Sequence, residues 1–295
     1  MKSERASVTA RFVALCRGIA PLLPAHAQLA LDPFGARVLG DRFAALLDAA
    51  ARAPAPLRAA LWGPLLPLLP WAIYMQVRTR AFDDALAEFA GAGGAQVVIL
   101  GAGFDARADR LGALAGARFF EVDHPATQSE KRARFGATTR ATRLPWDFER
   151  DATRDLPAAL IAAGLDPDAP TFTLLEGVTM YLSRSAFDAT LDAVRGYSAP
   201  GSRLGFNYVE RDLVERPGAG AALVGGFVRA VGEPFRLGLE PDELREDLAA
   251  RGFAVLWDES FLALTRRLLP APWGALVRAG RRVAVVERSA TAERR

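Results

Sequence analysis

The pattern of apolar and polar positions along the 295-residue chain changes character near residue 95. Before that point apolar residues recur at helical spacing, as in "DRFAALLDAAARA", whose leading Asp41 reads as a helix cap. After it, short apolar runs alternate with amphipathic stretches. Gln96 to Leu100, Arg118 to Val122, Thr171 to Leu175 and Arg203 to Asn207 predict strands, with a weaker one near Thr139 to Arg143. Between them, "DARADRLGALAG", "PATQSEKRARFG", "DLPAALIAAG" and "SRSAFDATLDAVRGY" are each long enough for a crossover helix. Strand and helix in repeated alternation predict an α/β fold, a parallel sheet with helices on both faces. Ala254 to Asp258 and Arg282 to Glu287 would complete the sheet. They follow a glycine-rich, substrate-side insertion around 209–240 and a helix in "EPDELREDLAARGF" that Gly252 closes. The chain therefore divides into a helical cap or lid at 1–95 and a core at 96–295.

One apolar stretch changes that picture only briefly. Ala59 to Val77 holds 19 residues without a charge, long enough for a membrane span. Pro64, Pro67 and Pro70 recur at every third position and remove helical hydrogen bonds that lipid cannot replace. No span is expected. A bent segment covering an apolar substrate pocket is one reading, and plain core packing is the other, with Trp62, Trp71 and Tyr74 as platform or as core.

Net charge is +3, carried almost wholly by arginine, since Lys2 and Lys131 are the only lysines. The arginines are scattered among acids, without the clustered basic face that a phosphate backbone requires, so no nucleic-acid partner is expected. A lone Cys16, with His26 and His124 the only histidines, leaves neither an intramolecular disulfide nor a metal cluster. The polar opening "MKSERASVTARF" lacks a secretory pattern, and a cytoplasmic location is the expectation.

The candidate chemistry lies in "QVVILGAGFDARADRL". Gly101 and Gly103 follow a buried strand and precede a helix, where bare backbone can approach a ligand. With Ala106 and an acid about 20 residues on, Glu121 or Asp123, the stretch fits a dinucleotide fingerprint, and a nicotinamide oxidoreductase stays open. Asp105 and Arg107 at the helix start fit a pyrophosphate less well, because it wants bare amides there. A phosphate-free adenosyl group would suit Asp123 at its ribose and the Asp147 and Phe148 of "LPWDF" at its base.

"VRTRAFDD", "VVILGAGFDARADRL", "FFEVDHP", "PWDF" and "LLEGVTMYL", in this order and spacing, resemble the leucine carboxyl methyltransferase family and its bacterial S-adenosylmethionine-dependent O-methyltransferase relatives. The resemblance covers about Asp32 to Tyr208. It implies a class I methyltransferase fold, Rossmann-like, with a seven-stranded, mostly parallel sheet whose last strand is antiparallel, under an N-terminal helical cap. It also implies S-adenosylmethionine as the cofactor. Arg78 would hold the donor's carboxylate, with Arg80 a second candidate. Gly101 would line the methionine part, Gly103 would also bind the cofactor, Asp123 would take the ribose, and Asp147 and Phe148 the adenine. Glu176 would sit beside the donor and Tyr181 near the transfer site, so Tyr181 and Arg78 are the catalytic candidates. The expected acceptor is a small, fairly apolar molecule of secondary metabolism, with a carboxylate favoured over a phenol or alcohol. A nucleoside-binding module without turnover is the remaining alternative.

Plainer roles compete for the same residues. Asp105 or Asp41 can cap a helix, and Arg78 or Arg80 can pair with Asp83 or Asp84 along one. His124 suits a supporting contact better than a base, and Cys16 and His26 suit no chemistry. Oligomeric state is not legible.

Overall fold

The computed structural model describes residues 7–136, 140–148, 151–216, 226, 234–277 and 279–290, and at Ala55, Ala59, Trp62 and Pro64 the backbone alone. The N-terminal third forms four helices, α1 (Val8–Gly18), α2 (Asp41–Ala51), α3 (Ala55–Leu65) and the long α4 (Leu69–Gly91). Then come β1 (Gln96–Leu100), α5 (Arg107–Arg110), β2 (Arg118–Asp123), α6 (Pro125–Phe135), β3 (Ala141–Pro145), α7 (Leu156–Ala162), β4 (Thr171–Leu175), α8 (Arg184–Tyr197) and β5 (Arg203–Val209). Helices Pro241–Ala250 and Phe261–Leu268 flank β6 (Phe253–Ser260), and β7 (Arg281–Arg288) closes the sheet. The strand order is β3-β2-β1-β4-β5-β7-β6, parallel except for β7, which runs antiparallel to both β5 and β6.

Every residue of β1 is buried because both faces of the sheet are covered. The two-residue strand period splits its apolar run: Val97 and Ile99 enter one core with α4 and Phe261, while Val98 and Leu100 enter the other with α7 and α8. The 1–95 region is thus no detached layer. Phe89 of α4 meets Phe172 of β4 edge to face with ring centroids 5.6 Å apart, and Tyr74 stacks on Phe261 at 4.3 Å.

Some local expectations need correction. Asp41 is not a cap: Gly40 occupies that position with φ 101°, and Asp41 lies in the first turn of α2. The segment expected to form the first crossover helix makes only the single turn α5 and a short 3-10 turn, because the backbone turns extended at Leu111, before Gly112. The weak third strand sits slightly later than expected, and Thr139 lies outside the described residues. Half of the 209–240 insertion, residues 217–225 and 227–233, also lies outside them. The proline segment bends at a 3-10 turn, Leu66–Leu68, with Pro67 and Pro70 in first-turn positions that need no amide donor. Among the described residues no helix is long and apolar enough to cross a membrane.

Candidate active site

The order reversal between β1 and β4 leaves a crevice at the carboxyl ends of the parallel strands. There the β1 turn is pinned to β2 by Gly101 N–H and Ala102 N–H, which both donate to Val122 O. Gly101, Gly103 and Gly177 adopt φ 66°, 51° and 74°, left-handed values that glycine tolerates, and all three border a cavity of about 700 Å³. A Cβ at Gly101 would lie 2.5 Å from Val178 Cγ2, so the β1 turn and the β4 loop approach closely. α1 forms the opposite wall through Thr9, Val13 and Arg17, a contribution the sequence reading missed because nothing in α1 stands out chemically.

The cavity gathers Arg78, Gly101, Gly103, Asp123, Asp147, Phe148, Glu176 and Tyr181, the candidates drawn from five separate blocks. Asp123 accepts from Gly103 N–H at 2.5 Å and from His124 N–H at 2.6 Å. Burial raises its pKa, and those two amides only partly offset the rise. His124 caps α6, its Nδ1 accepting from Ala126 N–H, and its Nε2 lies 3.6 Å from Asp147. Phe148 packs against the α7/α8 side core, and the Tyr181 ring lies 5.6 Å from that of Phe235.

Arg78 is buried and pairs not with Asp83 or Asp84 but with Glu176, its Nε donating to Oε1 at 2.7 Å. The pairing along the helix belongs to Arg80, which is exposed and bonds Asp84 at 2.7 Å. Glu176 Oε2 lies 2.7 Å from Arg107 Nη1. Burial by itself would raise the Glu176 carboxyl, but Arg107 and Arg78 outweigh it and hold it at about 2. Arg107 is fully buried and also pairs with Asp105 and Asp83, and Asp83 receives Arg110 at 2.7 Å. Asp105 in turn accepts from Arg107 N–H, so it serves the α5 start and the ion-pair network together. The sequence reading missed Asp83, Arg107 and Arg110 as a unit. Their only signal is charge in "RAFDD" and "ARADR", and 24 or more residues separate the partners.

Thr9, Val13, Arg78, Gly177 and Tyr181 also face a second cavity of about 320 Å³. Its remaining walls include Phe12, Leu68, Trp71, Met75 and Phe235, so the bent proline segment does border a pocket; the Trp62 side chain lies outside the described residues. Cys16 is buried and unpaired, its thiol pushed up to about 12 chiefly by burial. His26 accepts from Trp273 Nε1 at 3.1 Å, away from both cavities.

A model of the leucine carboxyl methyltransferase family matches residues 10–195. The chain belongs to the leucine carboxyl methyltransferase family. Curated relatives include a "putative S-adenosyl-L-methionine-dependent methyltransferase" of Mycolicibacterium gilvum, 44% identical over 55% of this chain and 50% of that protein. One of the same description from Rhodococcus jostii is 42% identical over 48% of this chain and 49% of its own length. The chain spans about half the length of the curated relatives it matches. Among solved structures, a "putative methyltransferase" from Thermobifida fusca aligns over 97% of this chain and 96% of its own at TM-score 0.59 and 17% identity. A DUF574 family protein from Streptomyces avermitilis aligns over 96% and 98% at TM-score 0.58 and 16% identity. These two share the fold, a class I, Rossmann-like arrangement.

Proposed function

We propose that the chain is an S-adenosylmethionine-dependent O-methyltransferase whose acceptor is a small, fairly apolar carboxylic acid. The observation that carries this reading is the charge of the two adjoining cavities. The larger is lined by Asp105, Asp123, Asp147 and Glu176 together with Arg17, Arg78 and Arg236, a mixed wall suited to a donor that carries a sulfonium, an ammonium and a carboxylate; the smaller has Arg78 and Arg281 and no carboxylate among its described walls. At about 320 Å³ the smaller cavity is the size of a metabolite site rather than a groove for a protein chain end.

The residues of the larger cavity fit the donor. Asp123 would accept from the ribose hydroxyls, Asp147 and Phe148 would hold the adenine, and the Arg78 terminal nitrogens, beside Gly177, would pair with the amino-acid carboxylate. When bound, S-adenosylmethionine supplies a methyl group on a sulfonium, and its transfer to a carboxylate leaves a thioether and a neutral ester with no proton to remove. That suits the groups at hand. Glu176 is engaged by two guanidiniums, and His124 Nδ1 is already an acceptor in a helix cap, so neither is poised as a base. Glu176 instead positions Arg78, and Tyr181, on the wall common to both cavities, is placed to orient the acceptor. Alignment then supplies the rate.

Calorimetric titration with S-adenosylmethionine, S-adenosylhomocysteine and NAD, followed by labelled methyl transfer to a panel of acids and phenols, tests the proposal. Binding of the two adenosyl compounds, no binding of NAD, and base-labile methyl esters are expected. Binding of NAD in their place, or transfer to phenols alone, would overturn it.

A further inference from the structure

Arg281 opens β7, well outside the residues matched by the family model. Its guanidinium lies over the Tyr74 ring with Cζ 5.5 Å from the centroid, and Arg78 Cζ lies at 5.5 Å from the same ring. The two cations differ in their partners. Arg78 is neutralised by Glu176, whereas Arg281 forms no ion pair with any described carboxylate. Its neighbour Arg282 pairs with Asp258 at 2.9 Å, and the buried Arg17 and Arg107 pair with Asp32 and with Asp83. Arg281 is therefore a half-buried cation in a mostly apolar cavity, bordered by Phe12, Trp71, Met75 and Phe235, with no described counter-charge. A guanidinium so placed gains most from an anion that enters the cavity, and its planar fork matches a carboxylate at two points.

We propose that Arg281 is the anion-binding residue of the smaller cavity, and that it pairs with the carboxylate of an otherwise apolar acid. The inference deepens the reading above and rests on it only in calling that acid the methyl acceptor. Phe12, Trp71, Met75 and Phe235 would bury the apolar body of the acid, while Arg281 selects its charge. Because a methyl ester lacks that charge, the esterified form of any acid held here binds more weakly than the acid.

The test titrates the full chain calorimetrically, with saturating S-adenosylhomocysteine, against 3-phenylpropanoate, cinnamate, octanoate and decanoate and against their primary amides. At least one acid is expected to bind about tenfold or more tightly than its amide, the scale of one charge-assisted contact. R281Q should bring that acid to within about threefold of the amide, and R281K should restore part of the preference. Affinity for S-adenosylhomocysteine should stay within about twofold in both variants, which also shows that they are folded. If R281Q keeps the preference, or no acid exceeds its amide on the wild-type chain, the assignment is overturned and Arg281 merely covers Tyr74. Arginine-dependent acid binding without methyl transfer would sustain the assignment while sinking the methyltransferase reading. Transfer to acids with KM unchanged in R281Q would do the reverse.

Discussion

At the scale of single residues, Asp123 and Glu176 show how one side-chain type takes opposite roles. Asp123 is offered two backbone amides and keeps lone pairs toward the cavity, so D123A is expected to weaken S-adenosylhomocysteine binding by about 1–3 kcal/mol in calorimetry. The pH dependence has a definite sign. In the proposed binding mode the ribose hydroxyls would donate to the ionised form, so affinity would be full above the raised Asp123 pKa and fall as pH drops through it. Measured affinity should therefore start to weaken at a pH above the ordinary aspartate range, and D123A should not show that loss. Glu176 is held at about 2 against an ordinary 4.5, so its contribution to stability is present above 4.5 and is lost as pH falls from there toward 2. E176Q leaves the buried Arg78 guanidinium without its carboxylate, while Arg107 keeps Asp105 and Asp83, and is expected to cost about 3–5 kcal/mol in denaturant unfolding at neutral pH. Its stability should then decline less steeply on acidification than that of the wild type. Asp123 and Glu176 could be picked out in the sequence because each ends an apolar strand. What each one touches could not, since Arg107 and Gly103 reach them only across the folded turn.

At the scale of elements, the wall that α1 gives to both cavities depends on a close backbone crossing. A Cβ on Gly18 would lie 2.3 Å from Ala36 N, and one on Gly35 would lie 2.4 Å from Ala14 O. Both obstructing atoms are backbone and cannot rotate away. G18A is therefore expected to loosen residues 8–39 in hydrogen exchange and to weaken S-adenosylhomocysteine binding, with the β1 and β4 amides still protected. Unchanged exchange in α1 would show that the crossing is not what holds it. The central strands β1 and β4 were legible because burial on both faces forces continuous apolar runs bounded by polar turns. α5 was not: the chain leaves the helix at the extended Leu111, and its Arg107 and Arg110 pair with Asp83, a residue on a different helix.

At the scale of the whole molecule, the site joins all parts of the chain: α1 and α4 from the first third, the ends of β1, β2 and β4 from the middle, and β7 from the last. A ligand that bridges them should stabilise the fold as a unit. S-adenosylhomocysteine at about 100 times its dissociation constant is expected to add about 2.7 kcal/mol to global unfolding, read by denaturant titration, while NAD at the same concentration adds nothing. A shift produced by NAD would contradict the donor assignment. The sequence by itself determined the α/β alternation, the glycine turn, the acids at the strand ends and the family, because each is written in a short stretch whose local periodicity or residue order is enough. Only the tertiary structure decided which charges are spent and which remain available. Glu176 is consumed by Arg78 and Arg107, whereas Arg281, 46 or more residues in sequence from every other wall of its cavity, faces that cavity unpaired among the described residues. Ion pairing depends on distance through space, and chain order leaves that distance undetermined until the sheet has closed.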